Sequence, residues 1–405
     1  MRWFCACCLL FLNMPGYAQG LLKGIIVDSF LRKPLPNATV FLNGTSIGVK
    51  TNEQGRFTIN IPPGRFSLVA INRGFESREQ IIGSDKRPDS IILSLKPRPR
   101  STEKEPFPGY TKSTREYWGE FFLNNVFGTS NNPAFCSVKN LESIHFYVSR
   151  DSTELLASTD EPLIIQNKFL GYTILYQIES FRYKINTVVL SYSAYTYFQP
   201  MQGGRLKQKE WQANRSEVYS GSMMHFMRSL YLNRLSQEGF EVRHLRKIPN
   251  LPDQDPVNNI QPTTGNQIDT ANATIAHQNL RAITKRFGVG TYSDQVYNPD
   301  NYKDIIGVPL PGDSIAYAIN KTTAALDFSD FLLVVYRDNN ATMYFPGEVD
   351  PPSMTSELLL TGEKPIRIEA NGSFYDRGDL LVLGYWSSSE KIPTMLPLDY
   401  VPPGR

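Results

Sequence analysis

Histidine and cysteine are scarce in this chain of 405 residues, with four of each. The histidines, His145, His225, His244 and His277, are scattered, and none is followed three residues later by a carboxylate. A catalytic zinc is held by three protein ligands with water in the fourth position, so a zinc peptidase with a His-x-x-Glu pair and a distant histidine is excluded. No metal site and no cofactor is expected, because there is no glycine-rich phosphate loop and no carboxylate cluster at calcium spacing. There is also no repeat of solenoid length. Charge of one sign is not in excess: 42 Lys and Arg face 39 Asp and Glu, a net charge of +3, and the two signs are interspersed. Nucleic acid is therefore not expected as a partner.

Long apolar runs are missing as well. The longest stretch near the start, Trp3 to Leu12, is preceded by Arg2 and followed by Pro15-Gly16-Tyr17-Ala18-Gln19. A short basic region, an apolar core too brief to span a bilayer and small residues before a cut after Ala18 read as a signal peptide over 1–18. Cys5, Cys7 and Cys8 lie inside or ahead of that core, which disfavours lipidation. Cleavage leaves Cys136 alone, so no internal disulfide is expected, and no transmembrane segment after signal cleavage. The chain should be exported, to the periplasm or in association with an outer membrane.

What is present is clearest between Gly24 and Leu95, where short strands alternate with turn residues. Gly24–Asp28 leads through Lys33-Pro34-Leu35-Pro36-Asn37-Ala38 into Thr39-Val40-Phe41-Leu42, then Asn43-Gly44-Thr45 and Thr51 to Phe57. The prolines set φ ahead of a strand, and Asn-Gly and Gln-Gly supply positive φ at reversals. Phe57, Ile59 and Ile61 point one way and Thr58 and Asn60 the other, as a half-buried strand requires. These residues predict a small β-sandwich over 20–96, closing on an edge strand near Ile91–Leu95. The Gly24-x-x-Val27-Asp28, Lys33-Pro34-Leu35-Pro36-Asn37-Ala38, Thr51-Asn52-x-x-Gly55-x-Phe57 and Pro62-Pro63-Gly64 strings resemble the carboxypeptidase-regulatory-like domain, a transthyretin-like sandwich that leads many Bacteroidota envelope proteins. The resemblance implies a fold and a non-catalytic domain, not a reaction. A hydroxyisourate hydrolase on that sandwich would need histidines there, and it has none.

A charged, proline-punctuated stretch, 97–112, reads as a linker. Beyond it, 113–405 reads as a larger, sheet-dominated α+β region. A helix is expected over Ser113–Phe127, strands at Phe169–Tyr176, Phe181–Ile185 and Val188–Phe198, and a helix over Ser220–Gly239 with serines at its start. The Asn-, Pro- and Gln-rich stretch 249–276 is expected to be a flexible loop. Further strands are expected at Ile315–Ile319, Phe331–Arg337, Glu357–Leu360, Ile366–Ala370 and Leu380–Trp386, with turns at Asp338–Asn340 and Asn371-Gly372. Strings such as Glu161-Pro162-Leu163, Tyr219-x-Gly221-Ser222 and Gly384-Tyr385-Trp386 resemble the region that follows the sandwich in uncharacterised Bacteroidota proteins, and imply no activity.

Three groups of residues are candidates for chemistry. Ser222 and His225, three apart at a helix start, have the spacing of a nucleophile and base, but a triad also needs an orienting carboxylate and an oxyanion hole and the flanking sequence is not a nucleophile elbow, so a helix cap and a satisfied histidine are expected instead. Cys136 among Ala134, Phe135 and Val138 reads as a small buried residue. Tyr192, Tyr195 and Tyr197 with Phe198 offer either a stacking platform for sugar rings or ordinary sheet filling. Arg377-Gly378-Asp379 falls in an expected turn. No catalytic residue is assigned. The expectation is an exported non-enzymatic envelope protein, its sandwich docking on a protein partner and its larger region a scaffold. The alternative is a carbohydrate- or peptidoglycan-binding accessory module with a glycan as partner.

Overall fold

The computed structural model describes residues 20–83, 88–98, 112–128, 135–149, 153–185, 189–249, 302–337, 354–375 and 377–403. The expected signal peptide, most of the expected linker, the expected 249–276 loop beyond its first residue and the expected turn at Asp338–Asn340 lie outside the described residues. The fold is mainly β.

The first unit is a sandwich of seven strands: β1 (Gly20–Asp28), β2 (Thr39–Leu42), β3 (Gly48–Lys50), β4 (Arg56–Ile61), β5 (Arg65–Ile71), β6 (Arg78–Gly83) and β7 (Ser90–Leu95). One sheet runs β4-β1-β7 and the other β3-β2-β5-β6. Alternation drives the packing: Phe57, Ile59 and Ile61 of β4 are buried with Leu22, Ile26, Val40, Leu42, Leu68 and Leu93 between the sheets. Each fully buried aliphatic or phenyl side chain contributes roughly 1.5–3 kcal/mol. Thr51 replaces a missing ladder contact, since its hydroxyl accepts the Ala38 N–H at 2.9 Å and donates to the Leu35 carbonyl at 2.7 Å. Gly55 is a turn glycine on which the sandwich depends sterically. Its φ is +66°, and a Cβ there would meet the Ile26 carbonyl at 2.6 Å. β7 lies at the sheet edge, parallel to β1.

The second region begins with α1 (Lys112–Phe127), which buries Phe122, Val126 and Phe127. They pack on a six-stranded sheet of β8 (Cys136–Val138), β9 (Ile144–Val148), β10 (Glu154–Thr159), β11 (Leu163–Asn167), β12 (Tyr172–Lys184) and β13 (Val189–Pro200). The two strands expected at Phe169–Tyr176 and Phe181–Ile185 are one. β12 runs unbroken for 13 residues because β13 pairs with it from end to end, and the irregularity between Ile178 and Ser180 is absorbed as a bulge.

Helix α2 (Arg205–Tyr219) has no counterpart in the sequence reading. Only Trp211 and Tyr219 of its 15 residues are buried, so no apolar stripe at helical period marks it. Helix α3 (Met223–Tyr231) is shorter than the expected Ser220–Gly239. The chain reverses at Asn233, φ +51°, and Gly239, φ +86°, ends the short turn Ser236–Glu238 rather than the helix.

A five-stranded sheet follows, ordered β15-β14-β18-β19-β21, made by β14 (Phe240–Pro249), β15 (Tyr302–Pro309), β18 (Phe331–Tyr336), β19 (Thr355–Leu360) and β21 (Leu380–Gly384). A three-stranded sheet, β16-β17-β20, is made by β16 (Ala316–Ala318), β17 (Thr323–Leu326) and β20 (Ile366–Glu369). Helix α3 fills the space between them, burying Phe226 and Met227 against Leu332, Leu358, Ile366, Ile368 and Trp386. The strand expected over Leu380–Trp386 stops at Gly384, φ +72°, where a Cβ would meet the Thr355 carbonyl at 2.6 Å. The short helix α4 (Tyr385–Ser389) begins there and tucks Trp386 into the core.

Candidate functional site

The sandwich and the second region are joined by a seam. Its centre is a parallel bridge between Thr45, in the turn after β2, and Tyr197 of β13. The Gly44 N–H donates to the Thr196 carbonyl at 2.8 Å and the Phe198 N–H donates to the Thr45 carbonyl at 2.9 Å. The Thr196 N–H donates to Asn43 Oδ1 at 2.9 Å. The end of the chain closes the same corner: the Leu398 N–H donates to the Gly44 carbonyl at 2.7 Å, and Asp399 accepts both the Ser46 N–H, at 2.7 Å, and the Ser46 hydroxyl.

This geometry places the three candidate tyrosines on two faces of β13. Tyr195 and Tyr197 lie against Phe41, Val69 and Ile71 on the outer face of the sandwich, with the Phe41 and Tyr197 rings stacked at 5.3 Å. The Tyr195 hydroxyl donates to Glu79 at 3.1 Å. Tyr192 faces the other way, into the core beneath α1 beside Phe181. Strand alternation separates position 192 from 195 and 197, so the rings share no single stacking surface. Burial pushes the hydroxyl pKa of all three upward, and for Tyr195 the carboxylates of Glu179 and Glu79 push the same way.

A cleft of about 210 Å³ opens between the sandwich and the β16-β17-β20 sheet. Arg65 and Ile81 line it from the sandwich, and Asn320, Thr322, Arg367 and Glu369 from the other side. The Arg65 guanidinium sits 4.4 Å from the centre of the Tyr375 ring, whose hydroxyl donates to the Arg65 carbonyl. Glu369 is buried and accepts the Thr323 hydroxyl at 3.1 Å. The arrangement offers guanidinium and amide groups over a carboxylate floor, which suits a polar ligand. No sequence signal pointed to it, because its residues come from four separate strands and turns.

Ser222 and His225 are built as a helix start. The Ser222 hydroxyl accepts the His225 backbone N–H at 3.1 Å and donates to the Tyr219 carbonyl at 2.8 Å. The imidazole points elsewhere: Nδ1 accepts the Gly221 N–H at 3.2 Å, which leaves the Nε2 proton to Glu238 at 3.3 Å. The ring is packed among Tyr219, Phe240 and Tyr336 and is 2% exposed. Hydroxyl and imidazole do not meet, so this is no nucleophile and base pair. Cys136 is buried, and burial pushes its thiol up to about 12, far from a reactive thiolate at neutral pH. Asp379 of the Arg377-Gly378-Asp379 string lies close to Gly362, where a Cβ would meet its carboxyl at 2.5 Å. Among the described residues no group of three or more His, Cys, Asp or Glu could hold a metal ion.

Residues 22–104 match the family model of the CarboxypepD_reg-like domain. The N-terminal sandwich is a carboxypeptidase-regulatory-like domain. The match covers about a fifth of the chain, and no curated protein matches it. Among solved structures, a cohesin and X-dockerin complex from Acetivibrio cellulolyticus is 21% identical over 18% of this chain and 51% of its own, with a TM-score of 0.15. The chain thus spans about half the length of that structure. A DUF3823 family protein from Bacteroides ovatus is 8% identical over 87% of this chain and 99% of its own, with a TM-score of 0.16. A protein of unknown function from Bacteroides fragilis is 11% identical over 90% and 94%, also at 0.16. Likeness at this level carries no argument about function. The regulatory-like domain has no histidine or cysteine between Gly20 and Leu95.

Proposed function

We propose that this protein is an exported, non-enzymatic component of the cell envelope, in which the regulatory-like domain and the second region act as one interaction body. The observation that carries the reading is the seam. Backbone hydrogen bonds at 2.7–2.9 Å and the Phe41–Tyr197 stack tie the domain to β13 and to the end of the chain. A domain held in that way presents fixed surfaces rather than swinging on a tether. The reading is also supported by what became of the chemical candidates: Ser222, His225 and Cys136 are all spent on structure. Among the described residues, no helix is long and apolar enough to cross a membrane, so attachment would be peripheral or through a partner. Affinity purification of a tagged copy from gently solubilised native envelopes tests it. A stoichiometric envelope partner is expected; a chain that elutes alone, or from the cytoplasmic fraction, overturns it.

A second reading, a carbohydrate- or peptidoglycan-binding accessory module, draws support from the cleft beside Arg65, Asn320 and Arg367, where amide and guanidinium groups stand next to an aromatic ring at Tyr375. On that reading a glycan meets the polar groups of the cleft. Titration with peptidoglycan fragments and glycan panels, read by protein NMR shifts, checks it. Shifts confined to the cleft would favour this reading over the first.

A further inference from the structure

The turn that joins β1 to the start of β2 is built in an unusual way for its sequence. Asp28 is buried, 5% exposed, and one of its carboxylate oxygens accepts the N–H groups of Phe30 at 2.7 Å and Leu31 at 3.0 Å. The Arg32 N–H donates to the Asp28 carbonyl, the Asp28 N–H to the Lys33 carbonyl and the Ser29 N–H to the Leu95 carbonyl, all within 2.8–3.0 Å. Every backbone donor from Asp28 to Arg32 is therefore satisfied inside the domain, and the shape of the turn owes nothing to the side chains at 30 and 31. Those side chains are apolar and point out: Phe30 is 83% exposed and Leu31 59%. Arg32 follows at φ +58°, where glycine would sit without strain, so a cation is held at the tip at some conformational expense.

The same end of the domain is basic. The bond from Ser29 to Leu95 brings Lys96 beside the turn, and the Asn72 amide, bonded to the Pro36 carbonyl, brings Arg73. Arg32, Lys33, Arg73 and Lys96 are exposed there, against the carboxylates of Glu53 and Glu76. Arg98 turns inward to the carbonyls of Phe75 and Thr159.

We propose that the Asp28–Lys33 turn is a membrane-surface anchor, with Phe30 and Leu31 entering the headgroup boundary of an anionic bilayer and Arg32, Lys33 and their neighbours meeting its phosphates. The inference deepens the envelope reading and rests on it. A lipid surface fits better than a protein groove. A stable protein interface buries about 800 Å² on each side around an apolar centre, and two side chains on a turn do not make that area. Two apolar residues with adjacent cations do suffice for weak, salt-sensitive interfacial binding, in which each cation near an anionic surface raises partitioning by roughly fivefold.

The test is sedimentation of the full chain with vesicles of phosphatidylcholine alone or mixed with phosphatidylglycerol. Binding to the mixed vesicles, release by salt, and a loss of about tenfold or more in Phe30→Ser/Leu31→Ser and in Arg32→Glu/Lys33→Glu are expected. All the proteins compared carry the same apolar residues near their start, so only the turn differs. Circular dichroism should show each variant folded as the parent is. Failure of the parent to bind mixed vesicles, or equal binding by the double variants, overturns the proposal. So does a photo-crosslinker at position 30 that captures a protein rather than lipid in native envelopes. Cell fractionation can fail while vesicle binding holds, which separates this proposal from the reading beneath it.

Discussion

Phe41 and Tyr197 belong to different domains and stack with their ring centroids 5.3 Å apart and their planes 21° from parallel. The contact closes the seam on its apolar side while the Thr45–Tyr197 bridge closes it through the backbone.

Removing that ring should uncouple the domains. Tyr197→Ala is expected to cost about 2–4 kcal/mol, at the lower end of large aromatic truncations because the residue is only half-buried. A single denaturant transition in the parent should separate into two, one for the sandwich and one for the rest. Tyr197→Phe keeps the ring and should stay within about 1 kcal/mol of the parent. Urea unfolding followed by fluorescence and circular dichroism checks both.

Gly171 should tolerate no side chain. Its φ is +72° and a Cβ would sit 2.2 Å from the Trp211 ring, which α2 lays across the turn and fastens by an indole N–H to the Lys168 carbonyl at 2.8 Å. Gly171→Ala combines left-handed strain of about 1–2 kcal/mol with overpacking of about 1–3 kcal/mol. The expected result is a lowered Tm and a red-shifted Trp emission as the indole is displaced toward water.

Ser222 should behave as a cap. Ser222→Ala is expected to lose about 1 kcal/mol, and Ser222→Asp, which also accepts the His225 N–H, to recover most of it. Any hydrolysis that fell with alanine but stayed lost with aspartate, at equal stability, would contradict the structural assignment.

Alkaline pH should destabilise the fold through buried acids. Burial raises the Cys136 thiol from 9.0 to about 12 and the Tyr172 hydroxyl from 10.0 to about 12, and raises Tyr176 and Tyr192 as well. Each stays protonated in the folded chain after its unfolded counterpart has ionised. The unfolded state therefore binds fewer protons, and stability falls with rising pH. The stabilisation is whole below about pH 9 and is lost between about pH 9 and 12, by up to about 1.4 kcal/mol per pH unit for each group in its window. Thermal melts from pH 8 to 11 should show the decline, and Cys136 should resist alkylation at pH 8 until the chain is unfolded.

The regulatory-like domain was legible because local chemistry specifies it. Gly44 and Gly55 hold positive φ, Pro34 and Pro36 restrict the approach to β2, and the buried positions of β4 alternate as its residues do. The second region was legible where apolar residues cluster, as in β18, β19 and the first part of α3. Helix α2 escaped because Trp211 and Tyr219 alone mark its buried side. One long strand was read as two because Glu179 and Ser180 interrupt the apolar pattern of β12 without ending its ladder to β13.

Tyr192, Tyr195 and Tyr197 show where sequence stops. Their spacing establishes which faces of a strand they occupy, since side chains alternate whatever packs on them. Whether each face meets solvent, a core or another domain depends on residues some 150 positions away, Asn43 and Thr45 among them, and only the tertiary structure brought those to β13. Ser222 and His225 make the same point at closer range. Their separation of three places both on one turn of helix, but the direction of the imidazole was decided by Gly221 and Glu238 and by the aromatic walls around it. Composition and spacing alone determined a small β-sandwich, an absence of zinc-peptidase ligands and the balance of charge. The seam, the cleft and the exposure of Phe30 and Leu31 were decided in three dimensions, because they are properties of surfaces that distant segments cover or leave open.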